Sequence, residues 1–168
     1  MNYTILFVNT ILGLLLLYSY YFLINKLEKP QRLWGRIHEK YRPIYTVSML
    51  LAALGYMLMM YFLVVKVKNN NELMREILVL QIIVILASML WMPLTIRYMK
   101  NKNAIIKSIV ILVLFTVAIA SFGNFFKVSK IIVPKKEKYL KLISILGAFY
   151  LFFHTFVLDF LLWNYNFF

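Results

Sequence analysis

Five long apolar runs dominate the sequence and limit the folds that are open to it. Four of them, 1–25, 43–65, 77–96 and 108–126, contain no Lys, Arg, Asp or Glu, and the fifth, 142–168, contains only Asp159. A helix needs about 20 apolar residues to cross the hydrocarbon of a bilayer, whereas a transmembrane barrel strand has about ten residues of alternating character. We therefore predict an all-α integral membrane protein, a five-transmembrane-helix bundle in one domain, 1–168. The spans are expected near 3–25, 43–65, 76–98, 104–126 and 140–166.

The basic charge of the chain is explained by these spans. The formal net charge is +13, and all 19 Lys and Arg residues lie in the connections between runs. Basic loops beside apolar helices follow from membrane insertion and from attraction to anionic headgroups, so the expected partner is the lipid bilayer and not nucleic acid. The connections expected on one face hold ten basic residues and those on the other face hold nine. Loop charge therefore predicts no orientation.

Two expectations concern the ends of the chain. The first run has no basic segment before it and no small-residue cleavage site, so it is predicted to be a retained helix and not a signal peptide. Five spans place the two termini on opposite sides of the membrane. Which membrane this is cannot be read from redox chemistry, because the chain has no cysteine.

The first connection, KLEKPQRLWGRIHEKYRP, has the pattern of a short interfacial helix. Leu33, Trp34, Ile37 and Tyr41 recur at helical spacing, and charged residues occupy the other side. An ordinary basic loop with a tryptophan anchor is the alternative, because Gly35 weakens so short a helix by about 1 kcal/mol. A helix here would cover one mouth of the bundle.

The last run contains the side chains that are most unusual for a membrane helix. A charge at bilayer depth costs about 2.5–3.5 kcal/mol on insertion scales, so Asp159 should face protein or a wet cavity. At α-helical spacing Thr155, Asp159, Trp163 and Asn166 fall on one stripe, which should point into the bundle. His154 lies five residues before Asp159, about 140° around an α-helix. The two side chains are therefore predicted not to pair directly.

The roles of these two residues stay open from the sequence. Asp159 suits either a buried interhelical hydrogen bond or a ligand-contacting or proton-coupled function. A neutral His154 bonded to a neighbouring group is favoured over ligation of haem or a metal, because His38 is the only other histidine and such sites draw several donors. No metal site and no catalytic residue is predicted, since no known catalytic motif occurs. An enzymatic function is not favoured.

Several short motifs resemble, in order, those of the translocator protein family, also called TspO or tryptophan-rich sensory proteins. LDFLLWNYN, 158–166, is similar to the family's L-N-x-x-x-W-x-x-N in the fifth helix, with Asp159 in place of the first asparagine. LEKP, 27–30, resembles L-x-K-P, and Trp34 stands where a loop tryptophan is expected. PIYTV resembles P-V-W-T, ASMLWMPL resembles L-N-x-x-W-S-P-L, and VSK resembles V-S-R. The resemblance spans nearly the whole chain.

The chain also departs from the family pattern. The family's W-x-P-P in the first loop and its P-Y-x-x-W at the opening of helix five are absent. The two tryptophans that bacterial members use in tetrapyrrole photodegradation correspond to Tyr45 and Leu151. That activity is therefore not expected here.

The resemblance implies a five-helix bundle, often a homodimer, with a pocket that opens toward the first loop. Family members bind porphyrins, haem or sterols there, and no cofactor is obligatory. The implied membrane is the outer mitochondrial membrane or a bacterial envelope membrane. By this resemblance Trp34 belongs to the loop lid, while Tyr45, Ser88, Trp91 and Asp159 line or support the pocket. The candidate ligand-binding residues are Trp34, Tyr45, Ser88, Trp91, His154, Asp159 and Trp163.

Three hypotheses on function follow. The first is a membrane receptor or transporter-like binder of tetrapyrroles or sterols, which suits aromatic walls and the basic residues Arg32, Arg36 and Arg42 at the mouth. The second is a small proton- or ion-coupled transporter or channel in which Asp159 titrates. The third is a sterol-modifying enzyme with His154 and Asp159 as acid and base, and the 140° separation argues against it.

Overall fold

The computed structural model describes residues 2–67 and 71–168, and every helix long enough to span a membrane lies in these ranges. Five helices there are apolar enough to cross, which confirms the all-α class and the five-helix bundle. They are α1 (Asn2–Asn25), α2 (Arg42–Val65), α3 (Asn71–Asn101), α4 (Ala104–Ser129) and α5 (Lys138–Phe153). The fifth span continues beyond α5 as a π-helix, His154–Trp163, and a last turn, α6 (Asn164–Phe167).

The ends of the helices follow from local chemistry. The predicted third span is extended at both ends, because Glu72 in the first turn and Lys100 in the last turn suit the helix dipole. The turn into α4 needs only two residues. There the side chain of Asn103 accepts hydrogen bonds from the backbone N–H of Ile105, at 2.8 Å, and of Ile106, at 3.3 Å. This N-cap satisfies two of the amides that begin α4.

The helices form a closed ring in the order α1, α2, α5, α4, α3. Each helix packs against its two neighbours in this order, and the tightest pairs are α3 with α4 and α2 with α5. The first loop, the α3–α4 turn and residues 164–168 meet at one end of the ring, which we call the loop end. The fifth span therefore packs between α2 and α4, and the site described below lies at the loop end.

Glycine allows α2 and α5 to approach closely. A Cβ built on Gly147 would lie 2.5 Å from the carbonyl oxygen of Gly55 and 2.8 Å from its Cα. No other residue type fits at either position without moving a backbone. In lipid, such close backbone approach is a main source of helix association.

Three polar side chains join α1, α2 and α3 inside the ring. The Asn9 amide donates a 2.9 Å hydrogen bond to the side-chain oxygen of Gln81, and the Tyr56 hydroxyl donates to the Asn9 oxygen. Gln81 is fully buried. These bonds fix α1, whose apolar surface is otherwise the most lipid-exposed of the five spans.

The first loop contains two short 3-10 helices, Pro30–Trp34 and Glu39–Tyr41, and not one amphipathic α-helix. Gly35 interrupts the predicted helix because it adopts a positive φ of 56°. Of the predicted apolar face, Leu33 and Ile37 are buried against the bundle, whereas Tyr41 is exposed. The loop therefore covers the loop end of the ring, as the sequence pattern predicted.

We expect Gly147→Ala to destabilise the bundle by about 1–3 kcal/mol, because the added methyl overpacks the contact with Gly55. Thermal unfolding in detergent would measure the change. Gly13→Ala is the matched control, since a Cβ there meets nothing within 4 Å. Equal melting temperatures for the two variants would contradict the close approach of α2 and α5.

Candidate functional site

Four of the seven predicted site residues meet in one aromatic cluster at the loop end. Trp34 contacts Tyr45 edge-on, with ring centroids 5.9 Å apart, and Trp91 contacts Trp163 at 5.2 Å. All four pack on the same buried apolar group, which includes Ile37, Val110 and Leu114. The rings come from the first loop, α2, α3 and the fifth span. We call Trp34, Tyr45, Trp91 and Trp163 the aromatic cluster.

The first loop is fastened over this cluster by the end of the chain. The backbone N–H of Arg36 donates to the carbonyl of Asn166 at 2.9 Å, and its guanidinium donates to the carbonyl of Tyr165 at 2.8 Å. The indole N–H of Trp163 donates to the carbonyl of Leu33 at 2.9 Å. The loop is thus a lid that is bonded directly to the last helix.

Gly35 is required at the point where the lid meets the last helix. A Cβ built there would lie 2.7 Å from both the carbonyl oxygen of Asn166 and the Cα of Phe167. The positive φ of this residue also disfavours any side chain. A single glycine therefore both interrupts the predicted helix and lets the lid lie against the end of the chain.

The fifth span changes its helix type where its polar residues begin. From His154 to Trp163 the backbone is π-helical, with hydrogen bonds to the fifth residue along the chain. Long π-helices are rare, and π-turns are frequent at functional sites. In this geometry side chains five residues apart lie roughly one above the other.

The prediction that His154 and Asp159 cannot pair is therefore wrong. The His154 Nε2 lies 3.5 Å from the Asp159 Oδ2. The 140° separation holds for an α-helix, but the π-helix brings residues i and i+5 onto one face. The α-helical angle therefore does not exclude a joint role for His154 and Asp159.

His154 also bonds to α2, through its other ring nitrogen. The Ser48 Oγ lies 2.9 Å from the His154 Nδ1, and the Tyr150 hydroxyl lies 3.0 Å from the same Ser48 oxygen. Ser48 and His154 are buried. Tyr150, Ser48, His154 and Asp159 thus form a continuous polar chain, which we call the polar chain.

Asp159 ends the polar chain, and about a third of its side chain stays exposed. Tyr20 of α1 lies beside the aromatic cluster. Its hydroxyl donates to the backbone carbonyl of Ser88 at 2.7 Å, and its ring lies 6.0 Å from that of Trp91.

The structure places six of the seven predicted residues in two groups. Trp34, Tyr45, Trp91 and Trp163 form the aromatic cluster, and His154 and Asp159 belong to the polar chain. Ser88 belongs to neither group and contributes only its backbone carbonyl, to Tyr20. Sequence reasoning missed Tyr20, Ser48 and Tyr150. Nothing distinguishes the two tyrosines among the twelve in the chain, and the bond from Ser48 to His154 joins residues 106 positions apart.

One donor in the aromatic cluster has no partner among the described residues. The indole N–H of Trp91 is buried and makes no hydrogen bond to any of them. A buried polar group without a partner is costly, so this N–H is available to a polar atom of a ligand. Among the described residues, no group of three or more His, Asp or Glu side chains is placed to hold a metal.

Two open grooves lie beside α2, next to the site. The first, of about 480 Å³, lies between α2 and the fifth span and has an almost entirely apolar surface; it is lined by Pro43, Ile44, Val47, Ser48, Tyr150, Phe153 and Leu158. The second, of about 650 Å³, is lined by Gln31, Glu39, Arg42, Pro43, Thr46 and Val47. The two grooves are neighbours, because Pro43 and Val47 line both.

Comparison with protein-family models, with curated proteins and with solved structures finds no match to this chain. The resemblance to the translocator protein family therefore stays a prediction from the sequence motifs.

We expect Trp163→Phe to loosen the lid, because it keeps an aromatic ring but removes the donor to the Leu33 carbonyl. An unpaired buried carbonyl costs about 1–3 kcal/mol. Amide hydrogen exchange in residues 31–37 should become faster by a corresponding factor. Tyr139→Phe is the control, since Tyr139 is exposed. Unchanged exchange in Trp163→Phe would contradict the fastening of the lid.

Proposed function

We propose that this chain is a membrane receptor or transporter-like protein that binds a flat hydrophobic ligand, a tetrapyrrole or a sterol, beneath its first loop. The observation that carries this proposal is the convergence of Trp34, Tyr45, Trp91 and Trp163 from four separate segments under one lid. Binding, and not covalent chemistry, is the activity proposed for this cluster.

The chemistry of the cluster suits such a ligand. Aromatic walls with a few placed polar groups are typical of small-molecule sites, and aromatic rings favour offset or edge contacts with a flat guest. The unpartnered indole N–H of Trp91 offers a donor. The lid carries Arg32 and Arg36, whose guanidinium groups suit the carboxylates of a porphyrin.

A ligand must displace the lid to reach the cluster, because the rings pack directly against one another. Trp34 moves with the lid and covers Tyr45. Four hydrogen bonds from Arg36 and Trp163 hold the lid, and three of them are to the backbone of the last helix. Such bonds contribute about 1 kcal/mol each. The binding energy of a ligand is therefore large enough to open the lid.

The resemblance to the translocator protein family adds three further proposals. The ligand would be a porphyrin, haem or a sterol, the chain would form a homodimer, and the membrane would be the outer mitochondrial membrane or a bacterial envelope membrane. That the chain is a multi-pass membrane protein follows from the five spanning helices themselves.

We expect Tyr45→Ala and Trp91→Ala each to weaken the binding of protoporphyrin by about 1–3 kcal/mol, if stacking here resembles stacking on other aromatic platforms. Quenching of tryptophan fluorescence during titration of the reconstituted protein would measure the affinity, with cholesterol tested by competition. Tyr139→Ala is the matched control, because it removes an exposed ring at the opposite end of the bundle. Wild-type affinity in both cluster variants would overturn the proposal.

A second candidate function is proton- or ion-coupled transport. The observation that favours it is the 3.5 Å contact between His154 and Asp159, two ionisable groups within a spanning segment. Ionisable pairs inside a membrane commonly mark proton or ion pathways. The two candidate functions predict different effects of one substitution, on proton flux and on ligand affinity.

Asp159→Asn discriminates between them. The transport function predicts that this variant loses proton flux in liposomes, because amide groups do not titrate. The binding function predicts that protoporphyrin affinity is kept or improved, since asparagine is the residue of the resembling family. Flux and affinity would be measured on the same preparation, with Asn164→Asp as a control for an added charge nearby.

A further inference from the structure

Ser48 has the surroundings of an activated nucleophile. Its hydroxyl lies 2.9 Å from the Nδ1 of His154, and the Nε2 of the same imidazole lies 3.5 Å from the Asp159 carboxylate. A hydroxyl, a base and a carboxylate that orients the base are the three groups that nucleophilic acyl transfer requires. The three side chains come from two helices, and the π-helix supplies both His154 and Asp159 on one face.

The nucleophile borders an open apolar groove. Ser48 and Tyr150 line the 480 Å³ groove together with apolar side chains such as Ile44, Phe153 and Leu158. Ser48 is six residues after the start of α2, which places it about 9 Å along the helix from Arg42. Such a position near the start of a spanning helix suits the acyl ester groups of lipids, which lie just below the headgroups.

The second groove supplies the polar side of the site. It shares Pro43 and Val47 with the apolar groove and is also lined by Gln31, Glu39 and Arg42. Its lining ends at Thr46 and Val47, within one helical turn of Ser48, and its polar side chains suit water from the membrane interface. Arg42 is also placed to attract an anionic headgroup, although it bonds to Glu39 at 3.3 Å.

We propose that Ser48, His154 and Asp159 form an intramembrane site that cleaves acyl esters of lipids, with Ser48 as the nucleophile. The proposal is independent of ligand binding at the aromatic cluster. It uses the polar chain and the grooves beside α2, whereas the cluster lies beneath the lid.

The reaction balances with water as the only co-reactant. The Nδ1 of His154 accepts the proton of Ser48 as the Oγ attacks the ester carbonyl carbon. The tetrahedral intermediate expels the alcohol, which takes the proton from His154, and an acyl ester on Ser48 remains. A water molecule then gives a proton to His154 and attacks the acyl carbon, and the carboxylic acid leaves as Ser48 regains its proton.

The other two residues of the polar chain support these steps. Asp159 is a positioning residue, because it holds the imidazole through Nε2 and stabilises it while protonated. The Tyr150 hydroxyl, 3.0 Å from the Ser48 Oγ, is placed to donate to the oxyanion that develops on the carbonyl. An acyl chain favours the groove because its walls are apolar, while a peptide or sugar would leave polar groups unpaired there.

The test uses a fluorophosphonate with a long alkyl chain, which forms a covalent bond to activated serines. The full chain in liposomes should be labelled, and peptide mapping should place the adduct on Ser48. In Ser48→Ala the labelling should vanish. His154→Gln should slow labelling by about 100-fold or more, the usual contribution of a general base.

Ser144→Ala is the matched control for loss of a helix serine. Its hydroxyl bonds only to the Leu58 and Leu140 carbonyls, so labelling should equal that of the wild type. Because the wild-type adduct is mapped directly, the outcome does not depend on whether Ser48→Ala folds. No labelling of the wild type, or an adduct elsewhere than Ser48, would overturn the proposal. Protoporphyrin affinity of Ser48→Ala, measured in parallel, should be unchanged.

The positioning role of Asp159 has a separate readout. Asp159→Asn should lower the maximal rate of labelling while the probe concentration for half-maximal rate stays the same, since the groove is unaltered. If Asp159 only stabilised the fold, its replacement would change both the maximal rate and the probe concentration for half-maximal rate, because the site itself would be disrupted. The rate of fatty acid release from a short-chain fluorogenic ester should fall in the same variants in which the labelling rate falls. Equal maximal rates in Asp159→Asn and the wild type would remove Asp159 from the mechanism.

Discussion

A polar group inside a bilayer has no water to bond with, and this constraint explains most of the interior of the bundle. Asn9, Gln81 and Tyr56 satisfy one another across three helices. Tyr150, Ser48 and His154 do the same across α2 and the fifth span, and Asp159 lies 3.5 Å from His154. Helix association in lipid gains little from the hydrophobic effect, so these bonds and the glycine contact between α2 and α5 are what fix the arrangement.

The class of the fold could be predicted from the sequence because spanning length is a simple consequence of bilayer thickness. The five spans and the burial of Leu33 and Ile37 follow from apolar patterning. Two features did not follow. The first loop bends at Gly35, which adopts a positive φ to pass the chain end, and the last helix is π-helical. The bend is accompanied by contacts between residues about 130 positions apart, which patterning along one segment does not contain. The apolar residues of the last span suit an α-helix equally well, so they do not indicate the change of helix type.

The π-helix has the larger effect on function, because it changes which side chains are neighbours. At α-helical spacing Asp159 belongs with Thr155 and Trp163, and His154 points elsewhere. At π-helical spacing His154 and Asp159 share a face, and Ser48 of α2 completes their hydrogen bonding. One change of helix type thus brings Asp159 to His154, which is already bonded to Ser48. The aromatic cluster is less sensitive to it, since its rings are large and come from four segments.

The glycine contact between α2 and α5 has a mechanical consequence. Gly55 lies 13 residues after Arg42, so about 20 Å of α2 extends from that contact to the loop end. Two helices can rotate slightly relative to each other about the point where their backbones approach most closely. A tilt of about 10° would move the first turn of α2 by about 3 Å. The lid, the grooves and both groups of side chains all lie on this longer arm, so one small rotation would alter their spacing together.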